Sequence, residues 1–336
     1  MKTRRYETPV APAPQSLPKP VEAPAKVQQV EAGERGAGQR LDNFLGRILK
    51  DVPKTHIFRV IRKGEVRVNG KRAKPDQRLL ASDIVRVPPV RTGAAAPPRR
   101  APPAMVQGLT GAIIYEDPRV LVIDKPAGVA VHGGSGVSFG VIEALRAARP
   151  DETLELVHRI DRDTSGLLLV SRKPAALRTL HALMRDGHVE KHYLALVKGK
   201  WELGQKRIDV PLRTDIRVGG ERTVKAHESG KEAVSVFKPV QFFGKRATLV
   251  EVSLETGRTH QIRVHAAHAG YPLAGDEKYG EAEFNEKMKE SGLKRMFLHA
   301  HRLSFTWPET GVEFNASAPL PADLAAVIDV LGEKKR

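Results

Sequence analysis

The sequence predicts an α+β protein made of two folded bodies, and three observations support this class. Proline marks the divisions, since six of the 24 prolines lie within residues 1–36 and six more within 88–103. Stretches so rich in proline and alanine do not pack a core. Between them, short β-prone runs alternate with amphipathic helical patterns. We expect a disordered tail over 1–37, a small body over 38–88, a Pro/Ala-rich linker over 89–110 and a large body over 111–332.

The composition excludes several classes of protein. The 336 residues contain no cysteine, which rules out disulfide scaffolds, Cys-ligated zinc, iron–sulfur clusters and thiol nucleophiles. No apolar run approaches the roughly 20 residues of a membrane span, and no apolar segment follows the basic start as in a secretory signal. We therefore expect a cytoplasmic protein with no membrane partner. The formal net charge of +17 favours a nucleic-acid partner, and the alternative is a generally basic protein.

The small body begins with a predicted amphipathic helix over Gln39–Leu49. Its apolar residues share one helical face: Leu41, Phe44, Leu45, Ile48 and Leu49. A second helix is predicted over His56–Lys63. Extended segments follow at Glu65–Val68 and Asp83–Val87, and Asn69–Gly70 between short β-prone runs predicts a hairpin turn.

Positive charge is concentrated in this small body. Residues 39–90 hold 13 Lys and Arg against 5 Asp and Glu. The basic residues of the second helix and the hairpin are Arg59, Arg62, Lys63, Arg67, Lys71, Arg72 and Lys74. Such a density is typical of a surface that binds a phosphate backbone. The alternative is a basic face that is only solvated.

A short motif in this region resembles the S4 RNA-binding module. The pattern R-x-G-x-V-x-V-N-G follows two short helices, and its matching residues are Arg62, Gly64, Val66, Val68, Asn69 and Gly70. The resemblance implies that the ligand of the small body is structured RNA.

The large body shows strands and helices in alternation. The predicted strands are Ile113–Tyr115, Val120–Asp124, Leu167–Val170, Val189–Val197 and Thr248–Leu254. The predicted helices are Pro174–Asp186 and Thr259–Gly270. A glycine-rich loop follows Val120–Asp124, but it lacks the spacing of a P-loop or a dinucleotide-binding loop, and Ser135 is not in a hydrolase nucleophile elbow. We therefore expect no nucleotide cofactor.

A charged turn lies between two apolar segments of the large body. Its charged or titratable residues are His158, Arg159, Asp161, Arg162 and Asp163. A turn held by rigid strands is a suitable place for a partly desolvated catalytic carboxylate. By pattern alone, an aspartate there is more often a turn-former.

Two other features allow a structural or a chemical interpretation. Tyr193 lies in a predicted strand, where a single tyrosine usually belongs to the core. Three histidines, His260, His265 and His268, lie near Asp276 in the sequence, but their i, i+5, i+8 spacing spreads them around a helix. We therefore expect no metal site.

Three spaced motifs identify the large body as similar to RNA pseudouridine synthases of the RluA type. His158–Gly166 resembles the family's H-R-L-D-x-x-T-S-G signature, with Ile160 in place of the commoner leucine. Gly257–His265 resembles its G-R-T-H-Q-I-R-V-H segment, and Lys191–Tyr193 its K-x-Y element. The resemblance covers residues 38–332. It implies an N-terminal S4 domain and a catalytic domain with a mixed, mostly antiparallel sheet and a central cleft.

The reaction that the resemblance implies is isomerisation of uridine in RNA, without a cofactor or a metal. Asp161 matches the family's nucleophile or base. Arg263 matches its cationic partner, which opposes the rise in carboxyl pKa that burial would cause. Tyr193 matches the residue that stacks on uracil and handles the C5 proton. The sequence leaves open whether the aspartate attacks C6, attacks C1′ or acts through a glycal.

The resemblance also implies how RNA is held. Arg159 matches the residue that is inserted when the target base is flipped out. We expect His158 to orient the loop and Arg162 to contact a phosphate. The implied substrate is 23S ribosomal RNA or its large-subunit precursor, at three uridines that the family numbers 955, 2504 and 2580. We expect a monomer.

Two other functions fit parts of the sequence. A non-catalytic S4-type RNA-binding factor or chaperone in ribosome assembly would use the same basic surface. A glycoside hydrolase using Asp161 and Asp163 fits poorly, because carboxylates two residues apart at one turn do not flank a substrate at the required separation of about 5–9.5 Å.

Overall fold

The protein is represented by a computed structural model, which describes residues 27–49, 52, 54–89, 101–134, 137–216 and 222–333. The chain divides into two compact units, Met1–Pro98 and Arg99–Arg336. No helix in the described residues is both long and apolar enough to cross a membrane.

The first unit is a small α+β domain. Its strands are β1 (Gln28–Glu31), β2 (Arg67–Val68), β3 (Lys71–Arg72) and β4 (Ile84–Val87), and its helices are α1 (Gly33–Gly36), α2 (Leu41–Ile48) and α3 (Lys54–Arg62). The strands form one sheet in the order β1-β4-β2-β3. Leu41, Phe44 and Leu45 of α2 pack with Ile57 and Ile61 of α3 in its core, as the apolar faces predicted.

The Asn-Gly turn between β2 and β3 is confirmed. Val68 pairs with Lys71 across it, and both Asn69 and Gly70 have positive φ, of 50° and 76°. That combination is what a two-residue hairpin turn requires. The Asn69 side chain then holds the hairpin to β4, because its amide donates to Asp83 at 2.8 Å and accepts from the N–H of Ile84 at 2.8 Å.

The structure differs from the predicted tail and linker. Strand β1 lies in the stretch 1–37 and pairs antiparallel with β4, from Gln28 opposite Val87 to Glu31 opposite Ile84. Its side chains show little apolar pattern because its stability comes from backbone pairing with β4, with Val30 alone packing on the core. Residues 1–26 and 90–100 of the predicted tail and linker lie outside the described residues.

The C-terminal part of the predicted linker is a helix of the large unit. Helix α4 (Pro103–Gly111) has proline at its first position, where the missing N–H is not needed, and buries Leu109 against the large core. It packs against α5 (Val141–Ala148). The prediction of a linker up to residue 110 was therefore wrong for this segment, because proline at the start of a helix was interpreted as part of a linker.

The second unit contains the remaining elements. Its strands are β5 (Ile113–Glu116), β6 (Val120–Lys125), β7 (Glu155–Leu156), β8 (Ser165–Ser171), β9 (Glu190–Lys198), β10 (Lys206–Asp209), β11 (Leu212–Ile216), β12 (Arg222–Ala226), β13 (Val234–Phe243), β14 (Ala247–Leu254), β15 (Leu298–Thr306) and β16 (Glu313–Ser317). Its other helices are α6 (Pro174–Arg185), α7 (Gln261–His268), α8 (Ala282–Lys289) and α9 (Ala322–Glu333).

The large sheet has the order β10-β13-β14-β9-β15-β8-β6-β5, with β16 paired to β15 and β7 to β8. Strands β15 and β8 run parallel, and the other recorded pairs are antiparallel. The predicted α+β class with a mixed, mostly antiparallel sheet is confirmed. Strands β11 and β12 form a separate hairpin.

The close approach of β8 and β15 depends on Gly166. Its φ is +104°, and a Cβ atom there would lie 2.2 Å from the carbonyl oxygen of Ala300. Only glycine avoids that clash and adopts that backbone angle without strain. All seven residues of β8 are buried, so the charged turn that precedes it leads directly into a fully buried strand of the sheet.

Candidate active site

A cleft of about 500 Å³ in the large unit brings together the three motifs. Its walls include the turn at 157–161, residues Lys191 and Tyr193 of β9, and the segment 257–263. Residues 102 positions apart in sequence, Asp161 and Arg263, meet inside it. The fold thus assembles one concave site from segments that are distant in the chain.

An ion-pair chain lies in the cleft. The Nη1 atom of Arg263 donates to Oδ2 of Asp161 at 3.3 Å, and Nε and Nη2 donate to both oxygens of Asp276 at 2.7 and 2.8 Å. The bidentate bond orients the guanidinium and leaves one nitrogen to face Asp161. Asp276 also accepts the backbone N–H groups of Lys278 and Tyr279, at 2.9 and 3.0 Å.

Burial and charge act against each other at this ion pair. Burial by itself would lower the pKa of Arg263, but Asp276 and Asp161 more than offset it and raise the pKa above its ordinary value. Burial would likewise raise the pKa of Asp276, but the hydrogen bond from Arg263 and those from the backbone lower it. Both groups therefore stay charged, and Asp161 has a permanent cation beside its carboxylate.

His260 brings a second group toward Asp161. Its Nε2 atom lies 3.9 Å from Oδ2 of Asp161, and its Nδ1 atom shares a hydrogen bond of 2.8 Å with the hydroxyl of Tyr279. The same hydroxyl accepts the N–H of Val224 at 2.9 Å, so Tyr279 connects the imidazole of His260 to β12.

The backbone of His260 is in the left-handed conformation, with φ +53°. This conformation is uncommon for residues other than glycine and is found at functional sites. Helix α7 begins directly after it, and residues Gln261–Ala266 of that helix are buried. The turn at His260 thus points its ring and the Arg263 side chain into the same cleft.

Tyr193 and Lys191 lie two residues apart on β9 and line the same wall of the cleft. Burial, together with the charge of Asp161, raises the pKa of the Tyr193 phenol well above its ordinary value. The phenol is therefore protonated at neutral pH. Tyr193 is 7% exposed. It packs in the core of the large unit and also lines the cleft, so it is both a core residue and a cleft residue.

Lys125 at the end of β6 holds the charged turn in place. The side chain is fully buried, and its Nζ donates to the carbonyls of Pro126, Val129 and Arg162 at 2.8, 2.8 and 3.0 Å. Burial lowers the pKa of Lys125 to about 7. The carbonyl of Arg162 follows Asp161 by one residue, so this ammonium fixes the backbone that carries the carboxylate.

The other residues of the turn have different environments. His158 accepts the N–H of Leu169 at Nε2, at 3.1 Å, and burial lowers its pKa to about 4, which fits a loop-orienting role. Arg159 is exposed at the cleft. Arg162 is also exposed, and its Nε donates to the carbonyl of Gly128 at 3.0 Å.

The predicted RNA-binding residues of the small unit are all exposed: Arg59, Arg62, Lys63, Arg67, Lys71 and Arg72. Two of them also support the local fold. Arg67 donates to the carbonyl of Gly70 at 3.3 Å, and Arg72 donates to the carbonyl of Arg62.

The three histidines considered for a metal site diverge. His260 faces Asp161, and His268 is exposed. His265 is buried against Ser235 and the carbonyl of Val210, at 3.0 Å each. Within the described ranges, no group of three or more His, Asp or Glu residues has a metal-binding arrangement.

Sequence reasoning missed several residues of this site. Asp276 and His260 were considered only as metal ligands, and neither Tyr279 nor Lys125 was assigned a role. Their importance comes from contacts across long sequence separations, which no local pattern shows. The left-handed turn at His260 has no signal in the sequence either, because histidine does not require that conformation.

Comparisons with known proteins agree with the geometry. Residues 119–268 match the family model described as RNA pseudouridylate synthase, and residues 39–85 match the S4 domain. The ribosomal large subunit pseudouridine synthase C of Salmonella typhi is 50% identical over 313 residues, covering 92% of this chain and 97% of that protein. The protein of the same name from Escherichia coli K12 is 49% identical over 310 residues, covering 91% of this chain and 96% of that one.

Among solved structures, human RNA pseudouridylate synthase domain containing 1 matches with a TM-score of 0.55 and 27% identity, over 68% of this chain and 90% of that one. About half of the residues are identical to those of the two large-subunit enzymes over nearly the whole length of both chains. Proteins that share only a fold have a much lower sequence identity. With the S4 domain at its N-terminal side and three family motifs converging on one cleft, the chain belongs to the RNA pseudouridine synthase family.

Proposed function

We propose that this RNA pseudouridine synthase isomerises uridines of 23S ribosomal RNA, at the three positions implied by its family resemblance, with Asp161 as the nucleophile or base. The observation that carries the proposal is the partly buried carboxylate of Asp161 in the cleft, 3.3 Å from a guanidinium that Asp276 holds in a bidentate bond. The relatives named as large-subunit enzymes support the choice of RNA.

The reaction rearranges bonds within one nucleotide. The N1–C1′ bond breaks, the uracil turns over, a C5–C1′ bond forms, and a proton leaves C5 while one is gained at N1. Asp161 supplies the anionic group near C1′ or C6. Arg263 places a guanidinium that stays charged 3.3 Å from that carboxylate, on the side opposite its bidentate bond to Asp276.

Tyr193 supplies a flat, buried surface and a hydroxyl. Because its phenol remains protonated, it serves as a stacking face and a hydrogen-bond donor to the uracil. In that state it takes the C5 proton only if it first gives its own proton away. This favours a role in guiding the rotated base over a role as a free phenolate base.

The exposed arginines of the turn act on the RNA. The guanidinium of Arg159 is exposed beside the cleft, where it can occupy the space of an extruded base. Arg162 has terminal nitrogens available for a phosphate while its Nε holds the loop. The basic face of the S4 domain holds the surrounding structured RNA.

The decisive test compares two aspartates of the same turn. Asp161→Asn and Asp163→Asn make the same chemical change, but Asp163 is 60% exposed and its nearest ion-pair partner is Arg162 at 3.9 Å. Each variant is incubated with a 23S transcript labelled with tritium at uridine C5, and tritium release is followed. We expect the Asp161 variant to lose at least about 1000-fold in rate, as for loss of a nucleophile, and the Asp163 variant to stay within a few-fold of wild type. Wild-type release by Asp161→Asn would overturn the assignment.

A cellular arm separates catalysis from a chaperone role. Pseudouridines are mapped in rRNA from cells that carry wild type, Asp161→Ala or no copy of the gene. Loss of the same modifications in the last two supports the proposed enzyme. If Asp161→Ala retained every function of the gene while charge reversal of Arg62 and Lys63 abolished it, the non-catalytic RNA-binding alternative would replace it.

A further inference from the structure

A second cavity, of about 430 Å³, lies beside the catalytic cleft. The segment Gly257–Thr259 lines both, so the two spaces share one wall. The opposite wall comes from the hairpin β11–β12 and from the turn at residues 229–231. None of the residues that form this second cavity was assigned a function by sequence reasoning.

The rim of this cavity is rigidly built. Leu212 and Lys231 exchange backbone hydrogen bonds of 2.8 and 2.9 Å, which join the turn to β11. Gly230 allows the approach, because a Cβ atom there would lie only 2.6 Å from the carbonyl carbon of Leu212. Lys231 therefore emerges from a fixed point at the edge of the cavity.

The charges around the cavity are unbalanced. Asp215 neutralises Arg213 at 3.0 Å and also meets Lys225 at 2.9 Å, and these two cations lower its pKa. Lys231 is exposed and has no ion pair within the part of the chain that the structure describes. Arg258 uses its Nε on the carbonyl of Glu232, at 2.8 Å, and keeps its terminal nitrogens free of described partners.

Two unpaired cations thus face a polar cavity whose lining contains no carboxylate among the described residues. Ser229 and Thr259 add hydroxyl groups. Positive charge combined with hydroxyl groups is the chemistry that recognises a phosphodiester. Because Gly257–Thr259 lines both spaces, this cavity is separated from the cleft proposed for the target uridine by a single wall.

The cavity is also tied to the catalytic carboxylate. Val224 lines it, and the N–H of Val224 donates to the hydroxyl of Tyr279, which is bonded to His260 beside Asp161. Hydrogen bonds through Tyr279 therefore connect the hairpin to His260 in the candidate site. A group bound in the cavity would be positioned relative to Asp161 by one continuous chain of contacts.

We propose that this cavity binds a backbone phosphate of the RNA substrate next to the target uridine, with Lys231 and Arg258 as its cationic contacts. The inference rests on the proposed function for the identity of the RNA. Its role is to set the register of the strand, so that the flipped uridine enters the cleft at the correct depth.

The first test measures equilibrium binding and needs no turnover. A synthetic 23S rRNA fragment carrying one proposed target uridine is titrated onto the full chain in the Asp161→Asn background. Lys231→Gln is compared with Lys238→Gln, which removes the same charge from an exposed lysine outside both cavities. We expect about a 3- to 10-fold weaker Kd for Lys231→Gln only, with a salt dependence shallower by about 0.7 in logarithmic slope.

The second test locates the phosphate. Fragments with a single uncharged methylphosphonate linkage are scanned across the nucleotides around the uridine. One linkage next to it should weaken wild-type binding and have no further effect on Lys231→Gln, because both changes remove the same contact. Full additivity at every linkage, or equal behaviour of Lys231→Gln and Lys238→Gln, would overturn the proposal.

A third arm distinguishes free nucleotide from RNA. If UMP bound the RNA-free protein through Lys231 while the RNA affinities of the two lysine variants were equal, the cavity would be a nucleotide site and the proposal would be wrong. These outcomes are separate from those of the proposed function. Absence of tritium release by wild type would refute the proposed reaction, and the binding data would still report on the cavity.

Discussion

The two units use charge in opposite ways. In the cleft of the large unit, the ion-pair chain from Asp161 through Arg263 to Asp276 is largely buried, and each of its members has a defined partner. On the S4 domain, the basic side chains are exposed, and their neighbours are mostly backbone carbonyls or solvent. Buried charges fix a geometry, while exposed charges create a field.

The difference predicts how each unit responds to mutation. Removing one buried partner leaves an uncompensated charge and displaces its neighbours, so a single change has a large effect. Removing one of many exposed cations weakens a shared field by a fraction.

Asp276→Asn should damage the cleft most without touching the substrate. It breaks the bidentate bond that orients Arg263, and we expect a loss of about 3–5 kcal/mol in the free energy of unfolding and about 100-fold in kcat/KM. Denaturant unfolding and tritium release measure the two losses. The pKa of Asp276 is lowered in the folded state, so the stabilisation is present above the unfolded carboxyl pKa and is lost as the pH falls through the folded value. The stability gap between wild type and variant should therefore close in acid, and a gap that persisted there would contradict the ion-pair explanation.

Lys125→Met tests a buried cation that touches no substrate. The carbonyls of Pro126, Val129 and Arg162 lose their donor, which should cost about 1–3 kcal/mol in stability. Burial lowers the pKa of Lys125 from 10.5 to about 7. Between these two pH values the unfolded chain therefore binds more protons than the folded protein. The stability of wild type relative to the variant should rise as the pH increases across that range. Lys238→Met, at an exposed site, is the control. A pH-independent difference would show that the lysine titrates normally.

His260 tests the connection between the hairpin and Asp161. His260→Asn keeps a residue that tolerates positive φ but removes the imidazole, and Tyr279→Phe removes the same hydrogen bond from its other end. Each should lower kcat by about 3- to 10-fold, as expected for one hydrogen bond. Because Tyr279→Phe also removes the acceptor of the Val224 N–H, the double variant should be no worse than Tyr279→Phe alone. Additive losses in tritium release would mean that the two side chains act separately.

The smallest single effects are expected on the S4 domain. Arg62→Gln and Lys63→Gln should each weaken RNA binding by a few-fold and reduce the logarithmic salt slope by about 0.7, with kcat at saturating RNA unchanged. Filter binding at several salt concentrations measures this, with Lys238→Gln as the matched control. A large fall in kcat with unchanged affinity would assign these residues to catalysis and would remove the contrast between the two units.

Local patterns were sufficient for much of the fold. The apolar faces of α2 and α3, the Asn69–Gly70 hairpin and the amphipathic helix α6 all appear in the structure near their predicted bounds. These elements are determined by periodicity and turn chemistry within a few residues. Strand β1 and helix α4 were not predicted, because β1 depends on pairing with β4 and α4 on packing against α5.

The candidate site shows the same division. The sequence by itself predicted Asp161, Tyr193 and Arg263 as site residues through motifs that resemble a known family, and it placed much of the positive charge on the S4 domain. Only the tertiary structure decided that Asp276 holds Arg263, that His260 faces Asp161, and that Lys231 and Arg258 border a second cavity. The physical reason is the sequence separation over which the relevant interactions act. Helices, turns and net charge follow from neighbouring residues, whereas ion pairs and cavities depend on contacts that the sheet creates between distant parts of the chain.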